Sequence, residues 1–196
     1  MRSVYNFVVT PMGRRYNNVK KVGDKELIVN TEIFNHQYVN RKAKVISTPI
    51  VGDTKINIGS NVILHHNVFR RWHNVHGVEK NSKSYFNEET YIVHPDQIFL
   101  YKNFWHWHSL EGFCWVQPIK NTDKYANSQE QKNIGIVRYT DGTFNVGDLV
   151  GFEPFSTYDF VIDGQRLYRV HTKFITIKYE YQGNEEAYNP SWAQSS

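Results

Sequence analysis

INIGSNVILHH, Ile56 to His66, and SYFNEETYIVHPDQIFLYK, Ser84 to Lys102, bracket the stretch on which the fold turns. A glycine turn at Asn57-Ile58-Gly59 leads into the apolar Val62-Ile63-Leu64. After a long polar excursion, Tyr91-Ile92-Val93, a His-Pro-Asp turn and Ile98-Phe99-Leu100-Tyr101 close the segment. Short apolar runs bounded by Gly, Pro, Asn and Asp read as strands and turns. Much of this recurs downstream. Asn57 to Val62 (NIGSNV) matches Asn145 to Val150 (NVGDLV), and Val93-His94 with Ile98 matches Val170-His171 with Ile175. A repeat of this size means one supersecondary unit used twice.

Working outward, Val4 to Met12 (VYNFVVTPM) reads as a strand ended at Thr10-Pro11, because Pro cannot donate to a ladder. Gly13 to Glu26 is polar and aperiodic and reads as a long exposed loop, with an apolar island, Leu27-Ile28-Val29, at its end. A long loop in a compact domain is uncommon and usually functional. Lys42 to Pro49 returns as a strand. The excursion between Leu64 and Tyr91 is too long for a tight hairpin and reads as too polar for a core. In the second half, Phe113 to Ile119 mirrors the opening strand, Ile134 to Tyr139 answers Ala43 to Ser47, and Asp163-Gly164 marks a hairpin tip. The offset between the copies falls from 107 residues at Pro11 and Pro118 to 77 at His94 and His171, so the second copy has lost loop length while keeping its strands. The expected organisation is a first domain over 1–102, an aromatic linker over 103–111 packed between the halves, a second domain over 112–181 and a mobile polar tail over 182–196.

Composition supports an all-β chain: thirteen Tyr, twelve Phe and five Trp accompany many β-branched residues in the 196-residue sequence, while Ala and Leu are scarce. The net charge of +4, from 23 basic and 19 acidic residues, is a weak pull toward anionic partners. Cys114 stands alone, which excludes an internal disulfide and suits a reducing cytosol. Met1-Arg2-Ser3 runs straight into a strand, and no apolar run of about 18 residues occurs, so neither export nor a membrane partner is expected.

The ordered series NFVVTPM, KELIVNT, KAKVIS, INIGSNVIL and NEETYIVHPDQIFLYK resembles the GroES co-chaperonin family over about residues 3–102, and more weakly over 112–181. The resemblance implies two tandem small, irregular β-barrels, a homo-oligomeric ring and a partner, the ATP-bound large chaperonin subunit, with no enzymatic activity and no cofactor. It places the family's chaperonin-binding aliphatic tripeptide at Leu27, Ile28 and Val29, or at Ile28-Val29-Asn30. The plainer alternative is that Leu27 to Val29 forms an extra strand on the barrel edge. Apolar side chains on a polar loop are otherwise unexplained unless a partner buries them. Lys120 to Asn133 lacks such a triplet, so only the first half is expected to dock, whereas tandem plastid members usually keep a loop in both copies. The excursion Asn67 to Lys83 corresponds to the family's roof hairpin and places Arg70, Arg71 and Trp72 near a ring axis, the plainer alternative being a solvated loop.

Other chemistry is poorly supported. His65-His66, His73-x-x-His76 and His106-x-His108 have no carboxylate or thiol companions at ligand spacing, so no metal is expected. GxSxG, GxxxxGK[ST] and GxGxxG are absent, and Glu88-Glu89 and Glu185-Glu186 sit in solvated contexts. Single-stranded nucleic acid stacking on aromatics near Arg70 and Arg71 is not expected without a basic stripe. The low Ala and high Asn, Lys and Tyr content suits a bacteriophage protein in the host cytoplasm. A virion component that uses the duplicated barrel as an assembly module, without chaperonin binding, is the competing expectation.

Overall fold

The computed structural model describes residues 2–28, 35–123 and 128–194. The chain divides into two units, Met1–Trp107 and His108–Ser196. The first contains β1 (Phe7–Pro11), β2 (Val19–Val22), β3 (Lys25–Ile28), β4 (Lys42–Ser47), β5 (Asn61–Leu64), β6 (Arg71–His73), β7 (Glu79–Asn81), β8 (Tyr85–Asn87), β9 (Thr90–Val93) and β10 (Ile98–Asn103). The division between units falls within β11 (His106–Ser109). The second contains β12 (Phe113–Lys120), β13 (Glu130–Tyr139), β14 (Leu149–Phe152), β15 (Thr157–Ile162), β16 (Gln165–His171) and β17 (Ile175–Tyr179), with one helical turn, α1 (Ser191–Gln194). The protein is all-β in class.

Each unit is built on one sheet, and the two sheets share a strand order. The first runs β10-β5-β4-β1-β9-β8, with β11 added outside β10; the second runs β17-β14-β13-β12-β16-β15. The registers agree residue by residue. Pro11 faces Ala43 as Pro118 faces Gly135, Val9 faces Val45 as Val116 faces Val137, and Ala43 faces Val62 as Gly135 faces Val150. The glycine turns repeat bond for bond. Gly59 N–H donates to Val45 O and Gly147 N–H to Val137 O, both at 2.8 Å, while Val45 and Val137 N–H return to Ser60 and Asp148 O, both at 2.9 Å. Both glycines stand at positive φ, 89° and 95°, where a side chain would be strained.

The cores correspond as well. Cys114, Val116, Val137, Val150, Phe152 and Val170 cluster in the second unit. The equivalent positions Phe7, Val9, Val45, Val62, Leu64 and Val93 are equally buried in the first. The aromatic moves from position 7 in one copy to position 152 in the other, a redistribution of volume that cores tolerate. Alternation is strict on β4, where Ala43, Val45 and Ser47 are buried and Lys42, Lys44 and Ile46 exposed. No closed barrel forms among the described residues, since β11 and β8 end one sheet and β15 and β17 the other.

Four expectations need correction. The stretch 13–26 is not a featureless loop, because β2 and β3 pair across Gly23-Asp24. The excursion after Leu64 does feed the core: Val68 and Phe69 are fully buried, and Phe69 meets Tyr91 edge-on at 4.7 Å. The aromatic linker is a hairpin, β10 turning into β11, with Phe104 and Trp105 exposed at its turn. The polar tail is docked. Ala187 bridges Ile119, Tyr188 N–H donates to Pro118 O at 2.7 Å, Asn189 Nδ2 donates to Gly164 O at 2.9 Å, and Ala193 is buried. Trp192 also stacks under Arg166, which is held by Glu130 and Asp159.

Candidate functional site

The β2–β3 hairpin belongs to neither main sheet and projects as an arm between β1 and β4. Its ladder pairs Val19 with Ile28, Lys20 with Leu27, Lys21 with Glu26 and Val22 with Lys25. Gly23, at φ 60°, supplies the left-handed conformation that a two-residue turn needs. The arm carries unburied apolar side chains: Leu27 is 58% exposed, Ile28 60%, and Val22 is exposed beside them. Leu27 and Ile28 lie on the returning strand rather than at the turn; Val29, expected with them, lies outside the described residues, as does Asn30.

The neck of the arm is tightly built. Buried Asn40 donates through Nδ2 to Met12 O and Arg14 O, both at 2.9 Å, and accepts from Lys42 N–H at 2.8 Å, so one side chain ties both ends together. Asn17 N–H donates to Tyr38 O at 2.7 Å and Asn40 N–H to Arg15 O at 2.8 Å. Such bonds satisfy backbone groups that a loop would otherwise leave to solvent.

Arg15 and Tyr16 fasten this neck to the second excursion. Arg15 donates through Nε and a terminal nitrogen to Phe69 O at 3.2 and 3.1 Å, and through the other to Asn81 Oδ1 at 2.8 Å. Its guanidinium lies over Tyr85 and Tyr91, 5.3 and 5.6 Å from the ring centres. Burial pushes the Tyr91 phenol up to about 12, against the opposing charge of Arg15, so it stays neutral at physiological pH. Tyr16 Oη accepts from Arg71 N–H at 2.8 Å.

The roof hairpin pairs β6 with β7, Arg71 facing Asn81, Trp72 facing Lys80 and His73 facing Glu79. Asn74 shapes its tip by accepting from His76 and Val78 N–H at 3.0 and 2.9 Å. The three residues expected at the roof have different surroundings. Arg71 is bound to Glu79 at 2.8 Å and lies over Tyr16, Trp72 is exposed, and Arg70 sits at the base among histidines. Val75, at the tip, is 96% exposed.

Sequence reading missed Arg15, Tyr16 and Asn40, whose roles come from contacts across many residues. The arm itself had a signal, Gly23-Asp24 between two short runs with Val, Leu and Ile. In the second unit the ends of the matching segment are joined by Asn121 N–H to Gln129 O at 2.9 Å, and 124–127 lie outside the described residues. Its roof is reduced to a turn at Glu153–Ser156. Among the described residues no group of three or more His, Cys, Asp or Glu has the arrangement of a metal site, and no helix is long and apolar enough to cross a membrane. Comparison with protein-family models, curated proteins and solved structures finds no match.

Proposed function

We propose that this chain is a co-chaperonin-like, ring-forming protein with two tandem GroES-like units, which docks on an ATP-bound chaperonin through the β2–β3 arm. The observation that carries the reading is the arm: an unpaired hairpin, outside both sheets, presenting Val22, Leu27 and Ile28 to solvent from a neck closed by Asn40. A two-stranded hairpin is marginal alone, so exposed aliphatic side chains on it are best explained by a partner that covers them. Burying Leu27 and Ile28 contributes roughly 1.5–3 kcal/mol each before ordering costs. A built neck lowers those costs relative to a disordered loop, and several arms on a ring would multiply a weak single contact. The second unit, with no matching arm among its described residues, serves as spacer, ring partner or cap.

The test is capture of the purified protein by a bacterial chaperonin with and without ATP. ATP-dependent capture by the parent chain, lost on Leu27→Asp with Ile28→Asp and kept on Val75→Asp at the roof tip, is the expected result. No capture by the host's own chaperonin overturns the reading and leaves the duplicated unit as an assembly module, for instance of a virion.

A further inference from the structure

His36, His65 and His66 form a column of imidazoles on the first unit. His65 and His66 stack with centroids 4.3 Å apart, His36 lies 5.0 Å from His66, and Phe99 closes the far end edge-on to His65 at 5.5 Å. The fold assembles this column from separate segments. Leu64 N–H donates to Arg41 O at 2.8 Å, which sets Arg41 beside the end of β5. His65 N–H donates to Gln97 O at 2.8 Å, and Arg70 N–H to His66 O at 3.2 Å, which brings Arg70 back over the short turn His66–Val68.

The groups that oppose a proton on His66 are His65, Arg41, His36 and Arg70, of which the two arginines carry permanent positive charge. Burial first, then these neighbours, push the His66 imidazole down to about 4, so it is neutral at neutral pH. Arg70 Nε is buried and has no acceptor among the described residues. A buried donor without a partner is unfavourable, and an added acceptor would relieve it. His65 Nδ1 accepts from Asn67 N–H at 3.0 Å. The cluster thus joins two arginines, one with a buried donor lacking an acceptor, to a column of imidazoles.

We propose that this cluster binds a compact tetrahedral oxyanion of the phosphate class, free in solution, on the Arg41 and Arg70 guanidiniums and the three imidazoles. A dianion reverses the field at His66, so binding is linked to proton uptake there and tightens as pH falls. His36 and Arg41 lie on the segment returning from the arm, and His65, His66 and Arg70 on the segment leading to the roof, so the bound ion would cross-link the bases of both excursions. The proposal goes beyond chaperonin docking and stands without it.

The test uses the full chain with inorganic sulfate, whose charge is constant across the range, at fixed ionic strength. With sulfate, the His66 ring resonance should titrate about two units higher, and sulfate should bind roughly tenfold tighter at about pH 5 than at about pH 8. Inorganic phosphate should compete. Arg70→Gln should remove most of the binding, and His66→Gln should retain binding with a weakened pH dependence. A His66 titration that moves no further in sulfate than in chloride overturns the site. Unchanged binding by Arg70→Gln does the same, and an undiminished pH dependence in His66→Gln overturns the proton linkage.

Discussion

The two units follow one plan and differ in what is added to it. Six strands lie in the same order with matching registers, yet the first unit carries an arm, a roof hairpin and an outer strand, and the second carries a docked tail instead. Shared strands with unequal attachments show that the sheet and its glycine turn form the structural unit, while specialisation sits in the connections, as it does for loops on rigid scaffolds generally. The last shared strands of the two units differ in burial. Leu100 on β10 and Ile177 on β17 hold the same register position, opposite Ile63 and Gly151. Leu100, inside β11, is fully buried, whereas Ile177, on an open edge, is 49% exposed.

That contrast gives the largest expected effect. Leu100→Ala should destabilise the first unit by about 2–5 kcal/mol, through lost burial and the cavity left behind. Ile177→Ala should cost the second unit about 1 kcal/mol or less, because half of its surface already meets water. Hydrogen exchange resolved by unit reads both. Equal costs at the two positions would mean that Ile177 is covered in solution.

A smaller effect tests the equivalence of Ala43 and Gly135. Ala43 is buried against β1 without difficulty. A Cβ at Gly135 would stand 2.4 Å from Gln117 O and 2.6 Å from Val116 Cγ1, so β12 lies too close to β13 there to admit one. Gly135→Ala should therefore destabilise the second unit by about 1–3 kcal/mol. Ala43→Gly should cost the first about 1 kcal/mol, through chain entropy and lost packing. Urea midpoints of the two variants decide it; a neutral Gly135→Ala would show that the strands can separate enough to admit the methyl group.

What could be read in the sequence follows the same division. The duplication was legible because Asn57-Ile58-Gly59 and Asn145-Val146-Gly147 require one backbone turn, and because Val93-His94 and Val170-His171 each end a strand before a short helical turn. Local chemistry fixes such elements. Phe69 was hidden because a single aromatic in a polar run carries no period, and its burial depends on Tyr91 and Arg15 brought in from elsewhere. The tail was misread for a related reason: its anchors are a backbone bond to Pro118, the Asn189 side chain on Gly164 O, a ring on Arg166 and two small residues, Ala187 and Ala193, too few to mark a hydrophobic segment. In the arm, Leu27 and Ile28 stood out as an apolar island, but their place on a strand depends on a glycine turn three residues earlier that composition had assigned to loop.

The smallest effect concerns the one ionisable difference between the glycine turns. Ser60 in the first unit donates to Asn103 Oδ1 at 2.7 Å. Its counterpart Asp148 accepts from Asn145 N–H at 3.0 Å and pairs with Lys178 Nζ at 2.8 Å. The Lys178 hydrogen bond chiefly, with help from the Asn145 amide and against burial, holds the Asp148 carboxyl below the usual carboxylate range. Its folded-state value is depressed, so its stabilisation is complete above the ordinary value of about 4 and is lost as pH falls through the lower folded one. Asp148→Ser should cost the second unit about 1 kcal/mol or less at neutral pH. The difference from the parent should shrink to nothing in acid, with the first unit's midpoint unmoved throughout. The reciprocal Ser60→Asp should gain no such acid-sensitive stability, because Tyr101 occupies the position of Lys178 and offers the new carboxylate no cation.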